Sequence, residues 1–122
     1  MLIQHINIIA VIVAALSALV ISKIWYICFE VNPKRAPFKL SQYCYLFMLS
    51  FIAALAMALL LARKPGFYMA LHTGILAGLC WVGTSLGITY AYANRSIKLF
   101  LIDAGYHAIQ FVVYGIILGL WR

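Results

Sequence analysis

A chain of 122 residues that is 67% hydrophobic and only 9% charged, with a mean hydropathy of +1.07, cannot build a water-facing surface. A soluble domain is about 45–50% apolar and about 25% charged. The formal charge of +7 does not make it a nucleic-acid binder, because the basic residues sit in short groups between apolar runs: Lys34, Arg35 and Lys39; Arg63 and Lys64; Arg95 and Lys98; Arg122. Helices that meet anionic headgroups are flanked in this way, and no basic face is left for a nucleic acid. The expected surroundings are a lipid bilayer.

The first apolar run, residues 6–29, is long enough to span and is longer than the hydrophobic region of a signal peptide; it also lacks a basic leader. It carries Ala10, Ala14, Ala18 and Ser22 at four-residue spacing, then Lys23 and the pair Trp25–Tyr26. A connection with Pro33 and Pro37 leads to the second span, 43–62, with Ser50, Ala54, Ala58 and Ala62 at the same spacing. Pro65 and Gly66 mark a tight turn. The third span, 68–90, shows no break and holds two GxxxG pairs, Gly74–Gly78 and Gly83–Gly87. At about 100° per residue these pairs face opposite sides, which predicts a close neighbour on each. The fourth span, 99–121, aligns Asp103, His107, Gln110 and Tyr114 on one face, beside Ala104, Ala108, Gly115 and Gly119.

Backbone polar groups in lipid must be satisfied within the segment, so each span is a helix. The fold class is an all-α membrane protein: four transmembrane helices in an antiparallel up-down bundle, one domain over 1–122, with consecutive helices as neighbours across short links. The first and third connections carry five basic residues (Lys34, Arg35, Lys39, Arg95, Lys98) and the opposite side three (Arg63, Lys64, Arg122). The positive-inside rule then places both termini outside. Trp25, Tyr26, Tyr43, Tyr45, Tyr90 and Tyr92 form the expected inner aromatic belt, with Tyr68 and Trp121 at the outer one.

Glu30 and Asp103 are the only acidic residues, and Glu30 sits beside Lys34 and Arg35 at the interface. Asp103 lies inside the fourth span at the same depth as Lys23, so these two are the expected intramembrane pair. The polar face from Asp103 to Tyr114 is either an internal hydrogen-bond network that fixes helix register or a lining for protons or a small solute. His5 and His72 lie at one end and His107 at another depth, so no metal site is expected. Cys28, Cys44 and Cys80 form no CxxC pair and read as small hydrophobes. Ser85 and Thr84 have no assignable base. The two GxxxG pairs sit within an apolar helix rather than a phosphate loop. No enzyme and no cofactor is expected.

The run from Tyr92 to His107, with Asn94, Arg95, Asp103, Gly105 and Tyr106, followed by Gly115 to Trp121, resembles the C-terminal signature of a bacterial membrane family, domain of unknown function 1761. Trp25–Tyr26 and the four-span layout fit it as well. The resemblance implies a bacterial inner-membrane protein and singles out Trp25, Tyr26, Asn94, Arg95, Asp103, Gly105, Tyr106 and Trp121, without a substrate or catalytic residue. Ser22–Lys23 and Ile27–Cys28 stand where the family has a glycine-rich approach and a following proline, which makes Lys23 particular to this member.

Two roles fit these residues. One is a self-associating scaffold or accessory subunit, a dimer or a companion of another membrane protein, favoured because the polar face is short. The other is a channel- or transporter-like passage along the fourth helix.

Overall fold

The computed structural model describes residues 6–29, 39–62 and 66–121. Four helical spans cross the molecule: α1 (Ile8–Cys28), α2 (Leu40–Leu60), a composite third span over Phe67–Ala93, and α5 (Ile97–Leu120). The third span consists of α3 (Phe67–Ile75), a π-helical stretch (Leu76–Gly83) and α4 (Thr84–Ala93). All four are long and apolar enough to span a membrane, and they form an all-α bundle.

Local chemistry sets the helix ends. The Asn7 side chain accepts from the Ala10 N–H at 3.3 Å, and Ser96 accepts from Leu99 N–H at 3.2 Å, each capping an orphan donor of a first turn. At the start of α2 the Lys39 N–H donates to the Gln42 side chain at 2.8 Å. The α4–α5 link is closed by Asn94, which stands at φ 58°. That left-handed residue lets Arg95 N–H reach Tyr90 C=O at 3.0 Å and Asn94 N–H reach Ala91 C=O at 3.3 Å, the paired bonds of a Schellman stop. The basic residues Lys34, Arg35, Arg63, Lys64 and Arg122, with Glu30 and His5, lie outside the described residues.

α5 is the centre of the packing. It lies against α3, the π stretch and α4 on one side and against α1 on the other, and it touches α2, whose main neighbour is α1. Among the described residues no comparable contact joins α2 to the third span, so the expectation that consecutive helices are neighbours fails at that link. Close backbone approach decides the arrangement. A Cβ added to Gly115 would lie 2.7 Å from the Ala70 carbonyl oxygen, and one on Gly78 would lie 2.8 Å from the Ala108 Cα. Gly119 would meet the Ala70 Cβ at 2.9 Å, and Gly74 the Phe111 carbonyl.

The two glycine pairs of the third span do not face opposite sides. Gly87 abuts the Phe100 ring of α5, so it faces the same helix as Gly74 and Gly78, while Gly83 packs on the Gly78 carbonyl of its own span. The π stretch is the reason: its i→i+5 bonding adds residues per turn. A five-residue step, which an α-helix turns well away, therefore returns close to the same face. Apolar residues fill both kinds of helix equally well, so no sequence signal marked the change.

The core gathers at one end. Ala10, Val11, Ala14 and Ala18 of α1 meet Ala54, Met57, Ala58 and Leu61 of α2, Ala70 and Ala77 of the third span, and Tyr114 and Leu118 of α5. The contributions from α2 and α5 come from the end of the helix nearer the termini, and those from α1 reach no further than its middle residue, Ala18. At the other end α4 buries no residue, and the buried residues of α2 begin only at Ser50.

Candidate functional site

Trp25 and Tyr26 belong to the exposed end of α1, yet both side chains turn onto α5. The Trp25 Nε1–H donates to the Ile102 carbonyl at 2.9 Å, and the Tyr26 hydroxyl donates to the Asp103 carboxylate at 2.5 Å. Gly105 makes room for the indole, since a Cβ there would lie 3.0 Å from the Trp25 ring. Tyr106 stacks at 5.7 Å from the Tyr26 ring and sends its hydroxyl to the Ala18 carbonyl at 3.3 Å. Trp25, Tyr26, Asp103, Gly105 and Tyr106, separated by nearly eighty residues in sequence, thus form one cluster on the α1–α5 seam. The sequence assigned Trp25 and Tyr26 to an interfacial belt; the structure adds that they tie α1 to α5.

Lys23 does not pair with Asp103. Its side chain is exposed, and no ion pair between it and the carboxylate exists among the described residues. Tyr26, one turn further along α1, occupies the carboxylate. A phenol brings a neutral donor to a half-buried carboxylate and leaves the amine free to reach headgroups.

Deeper along α5 the polar face becomes buried. Gln110 donates through Nε2 to the Tyr114 hydroxyl, which donates to the Ser50 carbonyl of α2 at 3.4 Å. Tyr114 is fully buried and Gln110 nearly so. The Gln110 Oε1 is buried without a hydrogen bond, and His107 lies three residues before Gln110 on the same helix. His107 also lines an open groove with Trp81, Val82, Ser85, Leu86 and Thr89, where the π stretch passes into α4. Asp103, His107, Gln110 and Tyr114 therefore share one helix but serve different neighbours: α1, the third span, the interior and α2.

The remaining predicted residues have structural places. Asn94 makes the left-handed turn, and the Arg95 guanidinium lies 5.6 Å from the Tyr90 ring centroid. Trp121 closes α5 through its backbone N–H to the Ile117 carbonyl. His72 bonds within its own turn to the Tyr68 carbonyl at 2.6 Å, and Cys28, Cys44 and Cys80 are free and exposed. Among the described residues no group of three or more His, Cys, Asp or Glu side chains is placed to hold a metal. Sequence reasoning missed the π stretch and the groove beside it. The one signal for the groove was the group of hydroxyls Thr84, Ser85 and Thr89 in the second half of the third span.

The cluster's chemistry is that of a tie. Three aromatic side chains donate to backbone carbonyls of other helices, and a fourth donates to a carboxylate. No curated protein and no solved structure matches the chain. A family model does: the one described as "Protein of unknown function (DUF1761)" matches residues 9–119, nearly the whole length, and the chain belongs to that family.

Proposed function

We propose that this small multi-pass membrane protein is a non-enzymatic scaffold or accessory subunit of a bacterial inner membrane, which works by associating with itself, with both termini outside. The observation that carries the reading is the use of the polar face. Trp25, Tyr26, Tyr106 and Tyr114 spend their donors on other helices, so the face holds helices in register rather than offering groups to a substrate. α5 is the most enclosed span, with 39% of its most apolar stretch buried, against 28%, 22% and 22% for the other three. Helices so thinly covered have faces to spare for a second copy.

The passage reading has one feature on its side, the π stretch in the middle of a span, because π turns often accompany functional sites. Against it, the polar row ends at Tyr114 and the Ser50 carbonyl, in a core where Ala10, Val11 and Ala14 are fully buried. A solute entering beside Asp103 meets a closed end. Light scattering of the purified protein in mild detergent should give the mass of a dimer; a monomer at every concentration would defeat self-association. In proteoliposomes with an imposed pH gradient, proton flux should equal that of empty vesicles. Flux above that level that disappears with Asp103→Asn would establish passage instead.

A further inference from the structure

Resting on the self-association reading, we infer that the groove between α4 and His107 is the two-fold interface between copies, with the Ser85 hydroxyl of each protomer donating to the partner's His107. The groove is an open trough. A pocket for a small molecule encloses most of its ligand, so what fills a trough is another surface.

Its polar groups have a definite inventory. The Thr89 hydroxyl is spent on the Ser85 carbonyl at 3.1 Å. Thr84 is likewise spent on the carbonyls of Cys80 and Trp81. The Ser85 hydroxyl makes no hydrogen bond among the described residues and is exposed, a free donor at membrane depth.

The acceptor follows from the interior. Gln110 uses its amide N–H on Tyr114, leaving Oε1 buried with nothing bound. His107 precedes Gln110 by three residues on the same helix, within side-chain reach of that oxygen, and a neutral imidazole has one N–H to give. Donating it to Gln110 satisfies the orphan and leaves the other ring nitrogen as an acceptor, on a residue that lines the trough.

One free donor and one free acceptor thus lie in one lipid-facing trough. Hydrocarbon satisfies neither, and intramembrane polar groups therefore face protein. A second copy satisfies both at once, because a two-fold interface sets residue i on j and j on i. Helical side chains lean towards the N-terminus of their own helix. Since α4 and α5 run antiparallel, Ser85 and His107 lean towards a common depth, as a two-fold axis along the membrane normal requires.

Single cysteines at Ser85, His107 and Ile52, each in a chain with Cys28, Cys44 and Cys80 replaced by alanine, distinguish the surfaces. Ile52 is an exposed position on α2. Oxidation of native membranes that hold the Ser85→Cys and His107→Cys chains together should give a disulfide-linked dimer, and Ile52→Cys should give none. Ser85→Ala removes both reciprocal bonds and keeps the helix, and it should raise the dimer dissociation constant about tenfold. A dimer mass in detergent with cross-linking only through Ile52, or a dissociation constant unchanged by Ser85→Ala, overturns this interface and leaves self-association standing. A monomeric mass throughout overturns both.

Discussion

Asp103 is the one acid within a span, and the phenol of Tyr26 is its partner at 2.5 Å. A hydrogen bond to a charged group in a half-buried site is worth more than one between neutral groups, and removing either partner leaves the other unsatisfied. Tyr26→Phe, Asp103→Asn and the double variant, unfolded thermally in one detergent, should show a coupling of about 0.5–3 kcal/mol. Lys23→Met combined with Asp103→Asn should instead be additive, because the lysine is exposed. Coupling through Lys23 and none through Tyr26 would restore the ion pair that depth alone suggested. Depth was the correct signal for a polar meeting on the α1–α5 seam, but it does not say which side chain one turn either way faces inward.

Among the elements, the seam between the third span and α5 is built from backbone contact. Where Gly115 meets the Ala70 carbonyl at 2.7 Å for an added Cβ, neither helix has a flexible atom to move. Gly115→Ala should therefore cost about 1–3 kcal/mol, as overpacking a well-fitted seam does. Gly87 is the contrast, since its added Cβ would meet the edge of the Phe100 side chain at 3.3 Å. Alanine is the better helix former by about 1 kcal/mol, so Gly87→Ala should be neutral or mildly stabilising. Equal melting temperatures for the two variants would mean that the seam is not closed at Ala70. The glycine spacing announced close packing legibly, but the direction each glycine faces depended on the π stretch between the pairs.

Over the whole molecule the packing is uneven: a closed core at the end of the termini and an open end around α4 and the first half of α2. Asp103 and the groove both lie towards the open part, so the polar groups sit where a partner can reach them. The proposed orientation is tested by labelling single cysteines at positions 36 and 65 in intact cells with an impermeant thiol reagent, in a cysteine-free background. Position 65 should react and position 36 should stay protected. Reaction at 36 alone would place both termini inside, with the open end facing outward.

The sequence by itself determined the membrane class, the four spans and the small-residue stripes. These follow from the length of apolar runs and from the need to bond every backbone group within a helix, both of which are local. The family resemblance also singled out Trp25–Tyr26 and the Asp103–Tyr106 region, while the only pairing read across spans was Lys23 with Asp103. Only the tertiary structure decided that Tyr26 and not Lys23 meets Asp103, that the third span packs on α5 rather than α2, and that four polar residues on one helix face serve different neighbours. Each is a choice among partners at similar depth in a medium where apolar contact discriminates little. It is made by shape, by the places where glycines meet the backbone of the facing helix, and by the extra residues per turn of a π stretch that no residue type announces.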